Sequence, residues 1–175
     1  MANKEALREL QGRLAERLQE AQELDHTSGW LAVEVADHGF LLPLAEAGEI
    51  FSLGTVLPVP HTHSWFLGIA NLRGTLAGVV DLAGFLGLRE RVPPTIREQA
   101  RVVAFNPALG INAALMVDRL VGLRNIDHLT TEPLDDPAVP DFVTGAWRED
   151  AQIWRVLSLD ALARDERFLR IVAAA

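Results

Sequence analysis

The sequence predicts a mainly β domain that follows a single α-helix. From residue 30 onward, short apolar runs alternate with turn residues about every eight to twelve positions, a spacing typical of all-β sandwiches and barrels. Within this part, residues 68–82 predict two short apolar strands joined by a tight turn at a glycine. Ahead of it, apolar residues in the stretch 3–24 recur every three or four positions, which indicates an amphipathic helix.

The composition restricts the classes of protein to which this chain can belong. Its 175 residues are 49% hydrophobic, which is enough to build the core of one domain. The absence of cysteine excludes disulfides and thiolate chemistry and fits a reducing compartment. The net charge of −8 argues against nucleic acid as a partner. Because no apolar run approaches the roughly 20 residues of a membrane span, we expect a cytoplasmic protein without direct membrane insertion.

Residues 1–27 are predicted to form a helical extension and a polar linker, ahead of a folded domain at 28–172. The helix at 3–24 has one apolar stripe, formed by Leu7, Leu10, Leu14, Leu18, Ala21 and Leu24. Arg17 interrupts the stripe, and three heptads are few for a coiled coil. The alternatives are a helix that packs on its own domain, a partner-docking or coiled-coil helix, and a disordered tail.

The first part of the domain is predicted to alternate strands and turns. Trp30–Val35 and Phe40–Leu44 read as strands on either side of the turn signal Asp37-His38-Gly39. Ala45–Glu49 is predicted as one helical turn, and a strand is predicted from Ile50 to Val59.

The hairpin at 68–82 is predicted to fold about Gly74-Thr75, with Gly74 at the first turn position, where a positive φ is required. Asp81 follows the second strand and is predicted to cap a short helix, Leu82–Leu86, that Gly87 ends. Arg73 is the one charge in an otherwise apolar strand. Its guanidinium would either satisfy backbone carbonyls or a carboxylate such as Asp81, or contact another protein.

The rest of the chain is predicted to form further hairpins. Residues 89–100 are charged, contain Pro-Pro and predict an exposed loop, and residues 132–141 predict another loop. The predicted strands are Arg101–Asn106, Ile111–Asp118, Leu120–Asn125, Val143–Trp147 and Gln152–Leu157. The last two turn at Glu149-Asp150, and Ser158 caps a final helix that runs to Leu162 or beyond.

No pattern in the sequence predicts catalysis. His61 and His63 have a metal-like spacing on a strand, and a metal-dependent hydrolase built on them is one alternative, but Pro58 and Pro60 favour an exposed turn. The glycine-rich phosphate loops and the nucleophile elbow are missing from the sequence. Asp135-Asp136 lies between prolines and predicts a solvated turn. We expect no catalytic residue, no cofactor and no metal site.

With these motifs in order, the chain resembles the CheW family of bacterial chemosensory adaptors over about residues 28–165. The most specific match is Gly68-x-x-Asn-Leu-Arg-Gly74, followed by Val-Val-Asp-Leu at 79–82 and Leu86-Gly87. Further matches are Ala47-Gly-Glu-Ile50, Ala114-Leu-Met-Val-Asp118, Gly145 and Leu157-Ser-Leu159. Gly78 stands where the family has proline, and Ala47 where it has a larger apolar residue. The leading helix is similar to the extended N-terminus of PilI-type members, which serve type IV pilus pathways.

The resemblance implies two interleaved five-stranded SH3-like barrels packed together, with an N-terminal helix and short connecting helices. It implies a non-enzymatic adaptor that couples a transmembrane chemoreceptor to a CheA-type histidine kinase, in a pathway that controls type IV pilus twitching motility. Glu49 and Ile50 would lie at a groove for the receptor's cytoplasmic tip, and Asn71, Arg73 and Gly74 would serve the kinase's regulatory domain. Receptor arrays would recruit the chain to the inner face of the membrane. A rival binding module is a β-barrel that holds a small molecule.

Overall fold

The computed structural model describes residues 29–134 and 139–173, and the prediction of a mainly β domain is confirmed. The predicted helix at 3–24 and Asp135-Asp136 lie outside the described residues. The strands are β1 (Trp30–Val35), β2 (His38–Pro43), β3 (Ala47–Ser52), β4 (Phe66–Leu72), β5 (Thr75–Asp81), β6 (Arg101–Phe105), β7 (Ala113–Val117), β8 (Arg119–Arg124), β9 (Thr130–Glu132), β10 (Val143–Glu149) and β11 (Gln152–Leu157). No helix in the described part of the chain is long and apolar enough to cross a membrane.

The strands form two sheets, and the second sheet is made from β3–β7, between the two parts of the chain that make the first. The first sheet has the order β8-β1-β2-β11-β10-β9, and the second has the order β3-β6-β7-β5-β4. The second therefore has the five strands expected, whereas the short β9, which was not predicted, gives the first sheet six. Each sheet contains one parallel pair, β2 with β11 and β5 with β7.

The core has a central part between the sheets and a further part that belongs to each sheet. Val33 of β1 and Leu115 of β7 are fully buried in the central cluster, to which both sheets contribute. The next residue of β7, Met116, lies in a cluster made by the second sheet alone. Leu41 and Trp154 lie in a cluster made by the first sheet alone. Because successive strand residues point to opposite faces, strands such as β7 are buried on both sides.

The bounds of β1 and β11 agree with the sequence prediction, and the first turn lies slightly earlier than predicted. Ala36 and Asp37, both with positive φ, form the turn, so β2 begins at His38. The amide of Ala36 donates a hydrogen bond to Asp118 Oδ2 (2.8 Å), which holds the turn against the end of β7. Asp118 lies 82 residues from Ala36, so a local sequence pattern around the turn could not predict this hydrogen bond.

The predicted helical turn at Ala45–Glu49 and the long strand after it are wrong. Residues 47–52 instead form β3, which pairs with β6 through a register shift between Ala47 and Ile50. A Cβ on Gly48 would lie 2.9 Å from the Phe105 carbonyl oxygen, so only glycine fits this close approach. Beyond Ser52 the predicted strand is replaced by irregular chain, with a single bridge between Leu57 and Ile69.

The hairpin of β4 and β5 is confirmed, but its turn is Arg73-Gly74 rather than Gly74-Thr75. Both turn residues have positive φ, +50° for Arg73 and +91° for Gly74, as a two-residue hairpin turn requires. The helix α1 (Leu82–Phe85) follows, and Gly87 adopts the predicted left-handed conformation. The Asp81 side chain makes no cap hydrogen bond, so the predicted capping role is wrong.

Asp81 is instead part of a buried ion cluster centred on Arg89. The Arg89 guanidinium donates to Asp81 Oδ1 (2.5 Å) and Oδ2 (3.0 Å), and to Asp118 Oδ1 (2.7 Å) and Oδ2 (2.8 Å). Burial by itself lowers the pKa of Arg89, but the hydrogen bonds to both carboxylates outweigh it, so the pKa is raised and the charge is retained. The prediction of an exposed loop at 89–100 therefore fails at Arg89, and also at α2 (Pro94–Gln99).

The chain after β9 agrees closely with prediction. β10 and β11 turn at Asp150-Ala151, one residue later than expected, and Asp150 has a φ of +52°. Ser158 caps α3 (Leu159–Arg164) by accepting a hydrogen bond from the Ala161 amide, as predicted. Glu46 adds a cap from a distant part of the chain, because its Oε2 accepts from the Leu159 amide at 2.6 Å. A last helix, α4 (Glu166–Leu169), was not predicted.

Candidate functional site

The structure brings together two of the residues that the sequence singled out. Arg73, at the tip of the β4–β5 turn, forms an ion pair with Glu49 of β3, with Nη1 2.5 Å from Oε1. The two side chains are 76% and 44% exposed, so water screens the pair and it stabilises the fold by at most about 1 kcal/mol. The guanidinium also lies over the ring of Phe51, 6.0 Å from its centroid. We name Glu49 and Arg73 the charged pair.

Asn71 and Gly74 have a local structural role beside this pair. The Gly74 amide donates a hydrogen bond to Asn71 Oδ1 (2.6 Å), which fixes the turn from within the hairpin. Arg73 itself adopts a left-handed conformation that costs a non-glycine residue about 1 kcal/mol or more. Glycine would avoid this cost.

Ile50 lies next to Glu49 in β3 but on a different side of the sheet. It pairs with Val103 of β6, which is buried in the central core between the two sheets, and paired residues share a sheet face. Ile50 is itself exposed, at the edge of the second sheet. The Ile50 side chain therefore lies on the face that packs between the sheets, at its solvent-exposed edge. Glu49 instead lines a cavity of about 220 Å³ together with Phe51 and Leu72.

The β4–β5 hairpin carries exposed apolar side chains that the sequence analysis did not single out, on the sheet face that Ile50 shares. Ile69 shares a face with Leu76, since Asn71 pairs with Leu76 in the hairpin register. Leu57 joins them through its two backbone hydrogen bonds with Ile69. We name Leu57, Ile69 and Leu76 the hairpin patch. The strand pattern places Ile69 opposite the buried Ala70, so alternation along β4 could have found it.

These groups can contact another protein, but their chemistry does not suggest catalysis. An exposed ion pair can orient a partner, and exposed aliphatic side chains on the other face of the same hairpin offer modest apolar contact area. His61 lies in a turn with a φ of +61°, and His63 stacks on Trp65 with ring centroids 5.3 Å apart. Across residues 29–134 and 139–173, no three His, Asp or Glu side chains are placed to hold a metal ion.

Comparison with known proteins gives the same family from sequence and from structure. A family model described as the CheW-like domain matches residues 29–167. The crystal structure of the scaffolding protein TtCheW from Thermoanaerobacter tengcongensis superposes with a TM-score of 0.63 at 25% identity. The match covers 76% of this chain and 85% of TtCheW. The expected mainly β, CheW-like fold is thereby confirmed for the described residues.

The relatives of this chain include a PilI protein and CheW chemotaxis proteins. Protein PilI from Pseudomonas aeruginosa is 32% identical over 162 residues, with 91% of this chain and 88% of PilI covered. The chemotaxis protein CheW from Rhizobium meliloti is 24% identical over 139 residues, with 78% of this chain and 87% of that protein covered. The match to PilI is thus the longer of the two and extends beyond the family domain.

Proposed function

This chain belongs to the CheW family of scaffolding adaptors, and from that premise we propose that it couples a chemoreceptor to a CheA-type histidine kinase without catalysis of its own. The similarity to PilI supports a place in a chemosensory pathway that controls type IV pili and twitching motility. The chain would then act in the cytoplasm, recruited to the inner face of the membrane by receptor arrays.

The observation that carries the proposal is the charged pair on the β4–β5 turn. An exposed ion pair adds little stability, and the left-handed conformation of Arg73 costs some, so the fold gains nothing from this arginine. A guanidinium held at the tip of a rigid hairpin is well suited to bind a partner's carboxylates or carbonyls.

We assign Arg73 to the kinase's regulatory domain, and Ile50 to the receptor. The receptor tip is a pair of helices, which calls for an apolar groove rather than a charged turn. Ile50, at the exposed edge of the apolar surface between the sheets, fits that role. Glu49 touches both areas, because it neighbours Ile50 in β3 and pairs with Arg73. The two binding areas are therefore adjacent, with Glu49 at their boundary.

The test measures two affinities for each variant, one for the purified regulatory domain of the kinase and one for a receptor-tip fragment. Arg73→Ala should weaken kinase binding about tenfold or more and leave receptor binding unchanged, and Arg73→Lys should restore little because a lysine lacks the planar fork. Arg119→Ala is the matched control, since Arg119 is also exposed and ion-paired, with Glu34 of the first sheet. Equal effects of the two alanine variants would remove Arg73 from the kinase site.

Ile50→Asp should abolish receptor binding and spare kinase binding. Leu123→Asp is its control, because Leu123 is an exposed apolar residue of β8 in the other sheet. Circular dichroism must show that both variants fold. Loss of kinase binding by a folded Ile50→Asp protein would contradict the division into two areas, and unchanged receptor binding would contradict the assignment of Ile50.

A further inference from the structure

A second surface of the domain is unrelated to the charged pair and the hairpin patch. A groove of about 780 Å³ runs beside α1 and the end of the described chain. We name it the C-terminal groove, with the lining residues Trp65, Phe85, Phe142, Arg167, Arg170 and Val172. Its volume lies in the range of about 300–1,000 Å³ that is usual for ligand clefts.

The floor of the groove is aromatic and firmly held. Trp65 packs edge-to-face on Phe85 at 5.1 Å, and Phe85 lies 5.8 Å from Phe142, which is buried in the central core. The side of the groove carries charges of both signs, because Arg167 lies over the Phe142 ring at 5.6 Å and pairs with Asp165 at 3.2 Å, and Glu166 and Arg170 also line the groove. The groove therefore suits an apolar helix face that is flanked by both acidic and basic residues.

The strand register places the beginning of the described chain at the end of the first sheet where this groove opens. Trp30 at the start of β1 pairs with Pro43 at the end of β2, and β2 runs parallel to β11. Leu157 at the end of β11 pairs with Val143 at the start of β10, directly after Phe142. The start of β1 and the groove thus lie at the same sheet end, three strand spacings or about 15 Å apart.

The chain ahead of β1 has the chemistry that the groove requires. Residues 1–28 contain six acidic and four basic side chains, and the sequence predicts a helix with a leucine stripe at 3–24. The four residues 25–28 can span about 14 Å, enough to bring the end of such a helix to the groove. The match to PilI covers 91% of this chain, more than residues 29–175 supply by themselves, so PilI shares part of this segment.

We infer that residues 3–24 form an amphipathic helix that docks intramolecularly in the C-terminal groove, with its leucine stripe on Trp65, Phe85 and Val172. The occupant is the chain's own N-terminal segment, because this segment ends at the correct sheet end, has the apolar stripe and carries both acidic and basic residues. None of Glu49, Ile50 and Arg73 lines the groove.

Hydrogen–deuterium exchange with mass spectrometry on the full chain tests the inference. In the wild-type protein the amides of residues 3–24 should be protected, and Val172→Asp should speed their exchange about tenfold or more. Val172 is 61% exposed, so its substitution should leave the domain folded. Leu123→Asp, at a residue that is 69% exposed on β8, should leave the protection unchanged. On the helix itself, Leu14→Asp should remove protection, and Gln19→Asp, opposite the stripe in the periodic pattern, should not.

Three results would overturn the inference. Residues 3–24 of the wild-type chain could exchange as fast as an unstructured peptide, which would mean that nothing is docked. Their protection could survive Val172→Asp, which would place the segment elsewhere. It could also disappear on dilution, with a matching change of mass in sedimentation, which would show that the segment of a second copy occupies the groove.

Discussion

Replacing Arg89 by methionine should destabilise the protein far more than an arginine in a charged loop usually would. In the wild-type protein the guanidinium makes four hydrogen bonds to Asp81 and Asp118, and the Asp81 side chain is 3% exposed. Methionine fills a similar volume but leaves two carboxylates close together without a counter-charge. Breaking such a buried pair from one side costs about 3–5 kcal/mol of unfolding free energy.

The lower end of that range applies here, because Asp118 keeps the hydrogen bond from the Ala36 amide and is partly accessible to water. A loss of about 3 kcal/mol corresponds to a decrease in Tm of about 6–12 °C for a chain of this size. Urea unfolding monitored by tryptophan fluorescence at pH 7 gives the free energy, and Arg91→Met, at an exposed arginine of the same segment, is the control that should change it by less than about 0.5 kcal/mol.

A second substitution separates charge from packing. Asp118→Asn in the Arg89→Met background removes one of the two unpaired charges and keeps the oxygen that accepts from the Ala36 amide, which should shrink the difference from wild type. A loss of only about 1 kcal/mol for Arg89→Met at pH 7 would refute the view that Arg89 neutralises a buried acidic pair. A large loss that Asp118→Asn leaves unchanged would assign the effect to packing instead.

The remaining predictions concern the hairpin turn and α4. Gly74→Val should destabilise by about 1 kcal/mol from backbone strain alone, because a Cβ at this φ of +91° meets no atom within 4 Å, and an unchanged Tm would contradict it. Arg73→Gly, by contrast, should keep or raise the Tm, since glycine relieves the strain at φ +50°. Partial burial raises the pKa of Asp165, but hydrogen bonds from Arg167 and from the Phe168 amide outweigh it and leave the pKa lowered. The folded-state pKa of Asp165 is then below its unfolded-state pKa, so the stability that Asp165 contributes at neutral pH is lost as the pH falls through the folded-state pKa. The unfolding free energy of Asp165→Asn should therefore decline less steeply than that of the wild type between about pH 5 and 3.

The elements that sequence analysis placed well are those with local causes. β11 has alternating apolar residues, and Ser158 caps α3 within three residues, so both could be located from a short window. The helical turn predicted at 45–49 failed because pairing with β6, more than 50 residues later, decides the conformation there. Asp81 was assigned to a cap because the partner it has, Arg89, lies in a segment whose composition indicates a solvated loop.

The candidate site was only partly predictable for the same reason. Glu49 and Arg73 were each singled out from the sequence, but for two different partners and without any expectation that they touch. Their contact depends on how the edge strand β3 approaches the β4–β5 turn. The two residues are 24 positions apart in the sequence, and this separation by itself does not predict a contact. The hairpin patch was missed because its three leucine and isoleucine side chains come from two strands and a bridge.

The order of strands in the two sheets has a consequence for how the protein is made. All strands of the second sheet lie in the continuous stretch 47–117, so each of its pairings becomes available before β10 and β11 leave the ribosome. The first sheet has to wait, because β2 pairs in parallel with β11, and Gly39 meets Trp154 across more than a hundred residues. Until β11 has left the ribosome, the edge of β2 that β11 later occupies has no strand from this pairing beside it, and an unpaired edge can pair with other chains.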